Sequence, residues 1–310
     1  MYSRRDFGRA MLAGIPISTA LGAGNGVRIG AATFSFRDLI RTPGQDNVDD
    51  VIKALEFAGV KEIELASANT EPAGPNSGPA VPPPPSVYPP PIRPPSPEEV
   101  AAAQRAVRKA LHDWRLRTPA AGHVAIRAKF QAAGIVLFSY RVDYDEKFTD
   151  EEIDVTFQQA KALGVGVIAS MISAAQAARI APWAEKYGIS VALHNDTKAT
   201  ATSITEALRI SKRFRINLDI GNFTAANQEP VAFLQENHAV ISHLQIKDRT
   251  RNGGGNERLG EGDTPIKEVL AVLKEKQLPL PAFVEYEYLG LGTPREEVKK
   301  CMAYLRAALA

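Results

Sequence analysis

Four segments in the second half of the chain place histidine, acidic, amide or lysine side chains where an apolar run ends. They are Val191-Ala192-Leu193-His194, Asn217-Leu218-Asp219, Ser242-His243-Leu244-Gln245-Ile246-Lys247 and Val284-Glu285-Tyr286-Glu287. Strand alternation puts His243, Gln245 and Lys247 on one face of their segment, and Glu285 and Glu287 on one face of theirs. Such groups are costly to bury unless they bind each other, water, a metal or a substrate. The four segments therefore predict one shared functional site.

The residue types indicate which chemistry this site supports. Imidazole and carboxylate side chains together suit a borderline divalent cation such as Mn²⁺, Zn²⁺ or Fe²⁺, and a carboxamide oxygen can join them. The chain has a single cysteine, Cys301, which excludes an intramolecular disulfide and a cysteine-rich metal cluster.

Strand-like and helix-like stretches alternate from Val27 onward. The predicted strands are 27–33, 62–66, 135–140, 165–170, 190–194, 216–220, 241–246 and 282–286. The predicted helices are 48–58, 97–133, 150–163, 174–187, 201–214, 230–237, 265–276 and 294–309. Parallel neighbours need long crossovers, so eight such units predict an α/β fold, a (β/α)₈ TIM barrel, with catalytic residues at the strand C-terminal ends. An open doubly wound sheet is the second choice, because no Gly-x-Gly-x-x-Gly turn follows the first strand.

The composition of the chain limits the kinds of partner that the protein is expected to bind. The 310 residues carry 37 basic and 35 acidic side chains, so no strongly basic face is available for nucleic acid. No apolar run approaches the roughly 20 residues of a membrane-spanning helix, so stable membrane insertion is not expected. We expect a small-molecule partner, and a homo-oligomer is left open.

Residues 1–25 are predicted to be a signal peptide. Ser3-Arg4-Arg5-Asp6-Phe7 precedes a short run of small apolar residues and resembles a twin-arginine export signal. This predicts a periplasmic or secreted protein whose mature domain spans 26–310.

A proline-rich insertion at 71–97 interrupts the alternation of strands and helices. It holds 13 of the 22 prolines of the chain. Proline removes a backbone donor and fixes φ, so this segment is not expected to join the sheet or a helix. We expect it at the strand C-terminal face, as a surface insertion, a lid or a docking arm.

The order of these pieces resembles the xylose isomerase-like TIM barrels of the sugar phosphate isomerase/epimerase superfamily, from about Val27 to Leu309. The segments that carry the resemblance are Leu218-Asp219-Ile220-Gly221-Asn222, Ile241-Ser242-His243-Leu244-Gln245-Ile246-Lys247-Asp248, Leu259-Gly260-Glu261-Gly262-Asp263 and Val284-Glu285-Tyr286-Glu287, with Thr33-Phe34-Ser35-Phe36 and Glu62-Ile63-Glu64-Leu65. The resemblance implies the barrel fold and carbohydrate chemistry, without specifying the substrate.

The resemblance also implies a ligand set. Sugar epimerases of this superfamily bind one divalent ion through Glu, Asp, His and Glu from strands five to eight. Asp219 and Glu285 match the Asp and the final Glu, whereas His194 and Gln245 stand where the family has Glu and His. The implied metal ligands are therefore His194, Asp219, Gln245 and Glu285, with one fewer negative charge than the family set.

The activity implied is that of a metal-dependent sugar isomerase or epimerase. The metal polarises a carbonyl, and Glu285 removes the neighbouring proton. His194 is a second catalytic candidate where it is not a ligand, because ligation uses the lone pair that a base needs. The predicted substrate contacts are Asn222, His243, Lys247 and Arg258. The alternatives are a lyase or hydratase acting on keto-glycosides by the same enolate chemistry, and a non-catalytic sugar-binding barrel.

Overall fold

A computed structural model describes residues 26–40, 45–72, 96–198 and 200–310. The predicted signal peptide lies outside the described residues, as does the predicted insertion apart from residues 71, 72, 96 and 97. The strands are β1 Ile29–Ala32, β2 Glu62–Ala66, β3 Val136–Arg141, β4 Val167–Ser170, β5 Ser190–His194, β6 Phe214–Asp219, β7 Ile241–Ile246, β8 Asp248–Arg249, β9 Asn256–Glu257 and β10 Ala282–Val284.

Eight of these strands close into a barrel in the order β1-β10-β7-β6-β5-β4-β3-β2. Every neighbouring pair in the barrel is parallel. The fold predicted from the sequence, a (β/α)₈ TIM barrel, is confirmed. The remaining two strands, β8 and β9, form a small antiparallel ribbon beyond β7.

Helices cover the outside of the barrel. The described α-helices are Val48–Ala58, Pro97–Arg117, Ala121–Ala132, Asp150–Leu163, Ala174–Tyr187, Ala201–Ala207, Ile220–Ala225, Pro230–Asn237, Ile266–Glu275 and Pro294–Leu309. Sequence signals set several of their ends. Thr149 and Ser173 each begin a helix with a capping box, and Gly164 and Gly188 end those two helices in the left-handed conformation. None of the described helices is both long and apolar enough to cross a membrane.

Two helix predictions were wrong. The stretch 97–133 is two helices, because Pro119 forces the residue before it, Thr118, into an extended conformation. The stretch 201–214 stops at Ala207, since Phe214 is buried and begins β6 beside Val191. The short helix Ile220–Ala225, which follows β6 directly, was not predicted.

The interior of the barrel is layered. Phe138, Val167, Ala169, Ala192 and Phe283 form a small apolar cluster separate from the main core between strands and helices. The His243 ring lies with its centroid 5.3 Å from that of Phe138 and 5.7 Å from that of Phe283. The apolar layer therefore contacts a polar one that lies nearer the C-terminal ends of the strands.

Strand register brings the predicted site residues to one level. His194 pairs with Asn217 across β5 and β6, and Asp219 pairs with Gln245 across β6 and β7. On the other side of Gln245, Phe283 of β10 is its partner. The last residues of β5 and β6, the next-to-last residue of β7, and Glu285 just after β10 thus meet at the C-terminal mouth of the barrel.

Candidate metal and substrate site

His194, Asp219 and Glu285 converge at the mouth of the barrel. All three are buried, and one potential ligand atom from each lies within 4.8 Å of the others. The Nε2 atom of His194 is 3.4 Å from Oδ2 of Asp219. Imidazole and carboxylate donors at this spacing are what a divalent ion requires, although a cation about 2.1 Å from each atom would draw them closer together. The donors therefore fit a metal ion after a small inward shift.

Gln245 contributes an oxygen to the same point. Its Oε1 lies 2.5 Å from Nε2 of His194, while its Nε2 donates to Oε1 of Glu64 at 2.6 Å. Because Glu64 accepts from the amide nitrogen, the amide oxygen of Gln245 must face the site. Glu64 thus decides which end of the carboxamide is presented.

Glu64 is the centre of a fully buried polar layer beneath the site. Its Oε2 is 2.8 Å from Nε2 of His243, and it also accepts from Ser139 at 3.2 Å and from Asn217 at 3.3 Å. Burial alone raises the pKa of Glu64, but the hydrogen bond and charge of His243 outweigh it and the net pKa is lowered. The ionised carboxylate is the form that these donors stabilise.

Lys247 places an ammonium between the site carboxylates. Its Nζ lies 2.9 Å from Oδ2 of Asp219, 2.5 Å from Oε2 of Glu285 and 2.5 Å from Oε2 of Glu287. Arg141, the last residue of β3, donates from Nη1 to Oε1 of Glu285 at 2.6 Å. Both oxygens of Glu285 are therefore paired with a cation.

These contacts set the protonation of the site. Burial raises the pKa of Glu285, but Lys247 and Arg141 outweigh it and lower that pKa to about 2. Burial likewise opposes ionisation of Asp219, whose pKa is nonetheless lowered, chiefly by Lys247 and then His194. Burial lowers the pKa of Lys247, and the three carboxylates reverse this to a net increase. The pKa of His194 is raised overall, because Asp219 more than compensates for burial.

The turn after β6 positions Asp219 and Asn222. The backbone N–H of Asn222 donates to Oδ1 of Asp219 at 2.8 Å, so this carboxylate caps the following helix. Asn222 Oδ1 accepts from Arg249 at 3.2 Å, which ties it to the ribbon. A Cβ on Gly221 would lie only 2.4 Å from Cγ of Lys247, so the close approach requires glycine here.

Two other predicted residues, His243 and Arg258, lie apart from the point where His194, Asp219 and Glu285 converge. His243 is two residues before Gln245 and has its ring nitrogen on Glu64, beneath the mouth. Arg258 is exposed, and among the described residues its side chain has no hydrogen bond or ion pair with the site. Asn222 and Lys247, which were also predicted to contact substrate, do lie beside the point where His194, Asp219 and Glu285 converge.

Glu64, Arg141 and Glu287 belong to the site and were not assigned there from the sequence. Glu64 stands in the second-strand segment and, by alternation, shares a face with Glu62, so an inward acid was a detectable signal. Arg141 follows the buried Tyr140 at a strand end, which is the same signal that identified His194 and Asp219.

Comparison with known families agrees with the barrel fold. The family model described as "Xylose isomerase-like TIM barrel" matches residues 143–308, more than half of the chain. The chain belongs to that family. The matched region includes β5, β6 and β7, which supply His194, Asp219 and Gln245, and it includes Glu285 directly after β10. No curated protein sequence matches the chain.

Solved structures of several proteins share the fold at low sequence identity. A sugar phosphate isomerase/epimerase from Parabacteroides distasonis is 18% identical, with a TM-score of 0.57 over 94% of this chain and 98% of that one. The 3-keto-D-glucoside 4-epimerase YcjR from E. coli is 12% identical, with a TM-score of 0.58 over 91% and 99%. The probable 3-DHS dehydratase AsbF from Bacillus anthracis is 14% identical, with a TM-score of 0.60 over 90% and 98%. At these identities the likeness extends to the fold, which hosts both epimerases and a dehydratase.

Proposed function

We propose that this protein is a metal-dependent isomerase or epimerase that removes a proton next to a carbonyl of a sugar or keto-sugar. The observation that carries the proposal is the convergence of His194, Asp219 and Glu285 at the barrel mouth, with ligand atoms within 4.8 Å of one another. Barrel enzymes place their chemistry at this face. The family neighbours named above include epimerases, which supports this class of reaction.

In this proposal His194, Asp219 and Glu285 hold one divalent ion, with the amide oxygen of Gln245 as the fourth donor. Such an ion, Mn²⁺, Zn²⁺ or Fe²⁺, supplies a Lewis acid that polarises a substrate carbonyl and stabilises the charge that develops on its oxygen. The donors are held before binding, since Asp219 caps a helix and Glu64 fixes Gln245. His194 then acts through Nε2 as a ligand, so it is not free to act as a base at that atom.

Glu285 is the group that takes the substrate proton. Its Oε2 faces the position of the ion, and its Oε1, held by Arg141, is the atom left to accept a proton. A carboxylate with a pKa of about 2 is a weak base. Proton removal by Glu285 therefore depends on a strongly acidified C–H bond, which is consistent with an enolate mechanism. Arg141 positions Glu285 and stabilises its ionised form.

Asn222 and Lys247 lie where they would contact substrate oxygens, and the partly exposed Phe34 lies beside Arg141, with the guanidinium carbon 4.9 Å from the ring centroid. An aromatic face and several polar groups at one mouth suit a carbohydrate. We further propose that residues 1–25 direct export to the periplasm or the medium. In that compartment a free sugar, a glycoside or an oxidised sugar is a more available substrate than a sugar phosphate.

Solvent deuterium exchange tests the proposal. The mature chain, loaded with Mn²⁺ in D₂O, is incubated with a panel of keto-sugars and keto-glycosides, and products are identified by mass and NMR. Deuterium in a recovered isomer is expected, and Glu285→Gln is expected to reduce the rate by about 10²–10⁴-fold. The matched control Glu229→Gln, at an exposed carboxylate paired with Arg251, should keep the rate of the wild type.

The same assay separates the alternatives. Loss of an aglycone or of water in place of isomerisation assigns the protein to the lyases, a class favoured by the dehydratase neighbour. Binding of sugars with no exchange and no product would refute catalysis and leave a sugar-binding barrel. Full activity of Glu285→Gln would refute the assignment of the base.

A further inference from the structure

The ammonium of Lys247 stands where a metal ion would bind. It bridges Oδ2 of Asp219 and Oε2 of Glu285 at 2.9 and 2.5 Å, and these two carboxylates belong to the converging ligand set. A divalent ion bound to these oxygens would be about 2.1 Å from each. The space between the two carboxylates therefore cannot hold both cations at once.

Glu287 offers the ammonium a second position. Its Oε2 is already 2.5 Å from Nζ of Lys247, and its side chain is 26% exposed, whereas the side chains of Asp219 and Glu285 are 0% and 2% exposed. Glu287 lies two residues beyond Glu285, past the end of β10, and its greater exposure places it nearer to solvent. It does not belong to the converging ligand set.

We propose that Lys247 is the resident counter-cation of the metal-free site and that metal binding transfers its ammonium to Glu287 alone. The inference rests on the proposed metal-dependent function and adds how the site is regulated. Without metal, Lys247 bridges two buried carboxylates, which would otherwise repel each other at low dielectric. With metal, the Lys247–Glu287 pair keeps the displaced charge satisfied at the rim.

A double-mutant cycle with Mn²⁺ as the probe tests this transfer. Chelator-treated wild type, Lys247→Met, Glu287→Gln and the double variant are titrated with MnCl₂ by isothermal calorimetry, and the melting temperature of each metal-free protein is recorded. We expect Lys247→Met to bind Mn²⁺ about 10- to 100-fold more tightly, since no charge-assisted contacts have to be broken. Its metal-free form should melt at a lower temperature than the wild type.

Glu287→Gln distinguishes transfer from simple electrostatics. If Glu287 receives the ammonium, this substitution weakens Mn²⁺ binding in the presence of Lys247 and has little effect in the Lys247→Met background. An equal weakening in both backgrounds would mean that Glu287 acts only through its charge, and it would overturn the transfer. Lys186→Met is the matched control, because Lys186 pairs with Asp154 on the surface at 2.6 Å.

The remaining outcomes separate this inference from the proposed function. Equal Mn²⁺ affinity in wild type and Lys247→Met would refute the inference and leave the metal-dependent function standing. Tighter binding in Lys247→Met, together with no deuterium exchange in any sugar, would support the inference and refute the function. Absence of Mn²⁺ binding in all four proteins would refute both.

Discussion

Replacing Glu64 by glutamine tests whether a buried anion organises the interior of the barrel. Four side chains donate to this carboxylate, from Ser139, Asn217, His243 and Gln245. Glutamine keeps the shape but turns one oxygen into an NH₂ group, which removes the acceptor of one contact if it stands at Oε1 and of three contacts if it stands at Oε2. A hydrogen bond to a buried charge contributes about 1.5–3 kcal/mol. We therefore expect Glu64→Gln to lower the free energy of unfolding by about 3–5 kcal/mol.

Urea unfolding in excess chelator measures this change without a contribution from bound metal. Glu229→Gln is the matched control, since Glu229 is exposed and pairs with Arg251, and the expected loss is under about 1 kcal/mol. A loss for Glu64→Gln no larger than that of the control would refute the view of Glu64 as an anionic centre. A second readout is Mn²⁺ affinity, which should fall because Gln245 is no longer held with its oxygen toward His194.

Three further predictions address acid stability, helix anchoring and close packing. The pKa of Glu285 is about 2, below its ordinary value of 4.5. The stability that ionised Glu285 contributes to the fold is therefore complete above about pH 4.5 and is lost as the pH falls toward 2. Glu285→Gln should flatten the acid-unfolding curve in that range. Arg115→Ala should lower the free energy of unfolding by about 3–5 kcal/mol in thermal or urea unfolding, because the buried Glu71 and Glu152 each lose a charge-assisted contact, whereas exposed Arg117→Ala should lower it by less than about 1 kcal/mol. Gly221→Ala should lower the free energy of unfolding by about 1–3 kcal/mol and alter Mn²⁺ affinity, since the new Cβ would lie 2.4 Å from Cγ of Lys247. Unchanged stability and affinity would show that this turn can move to accommodate the Cβ atom.

The sequence predicted the barrel because each barrel strand and most helices have a recognisable pattern of apolar residues within a short stretch of chain. Strand alternation placed Gln245 and Lys247 on one inward face, and the structure has both there. The prediction of one helix over 97–133 was wrong at Pro119. Helix-forming residues lie on either side of this proline, but the proline itself ends the first helix, and it is visible in the sequence.

The contacts that complete the site could not be predicted in this way. Glu64 meets Gln245 across 181 residues of chain, and Arg141 meets Glu285 across 144. Such pairs depend on which strands face each other once the barrel closes, and that arrangement follows from strand number and register together. The residues next to a glutamate in a strand do not indicate that its partner is a glutamine on a distant strand of the barrel.

The unusual residues of the site explain one another electrostatically. A histidine and a glutamine stand where the family resemblance implies Glu and His, so the chain brings two negative charges to the ion in place of three. A carboxamide has two ends of similar shape, and only an outside contact can present its oxygen to a cation. Glu64 provides that contact from beneath, at 2.6 Å. With fewer charges to neutralise, the ammonium of Lys247 and the guanidinium of Arg141 together balance Asp219 and Glu285 before metal arrives. Under the proposed metal-dependent function, the residues at the ligand positions and the lysine between the carboxylates thus describe one design, a site that would stay folded without metal and bind it reversibly.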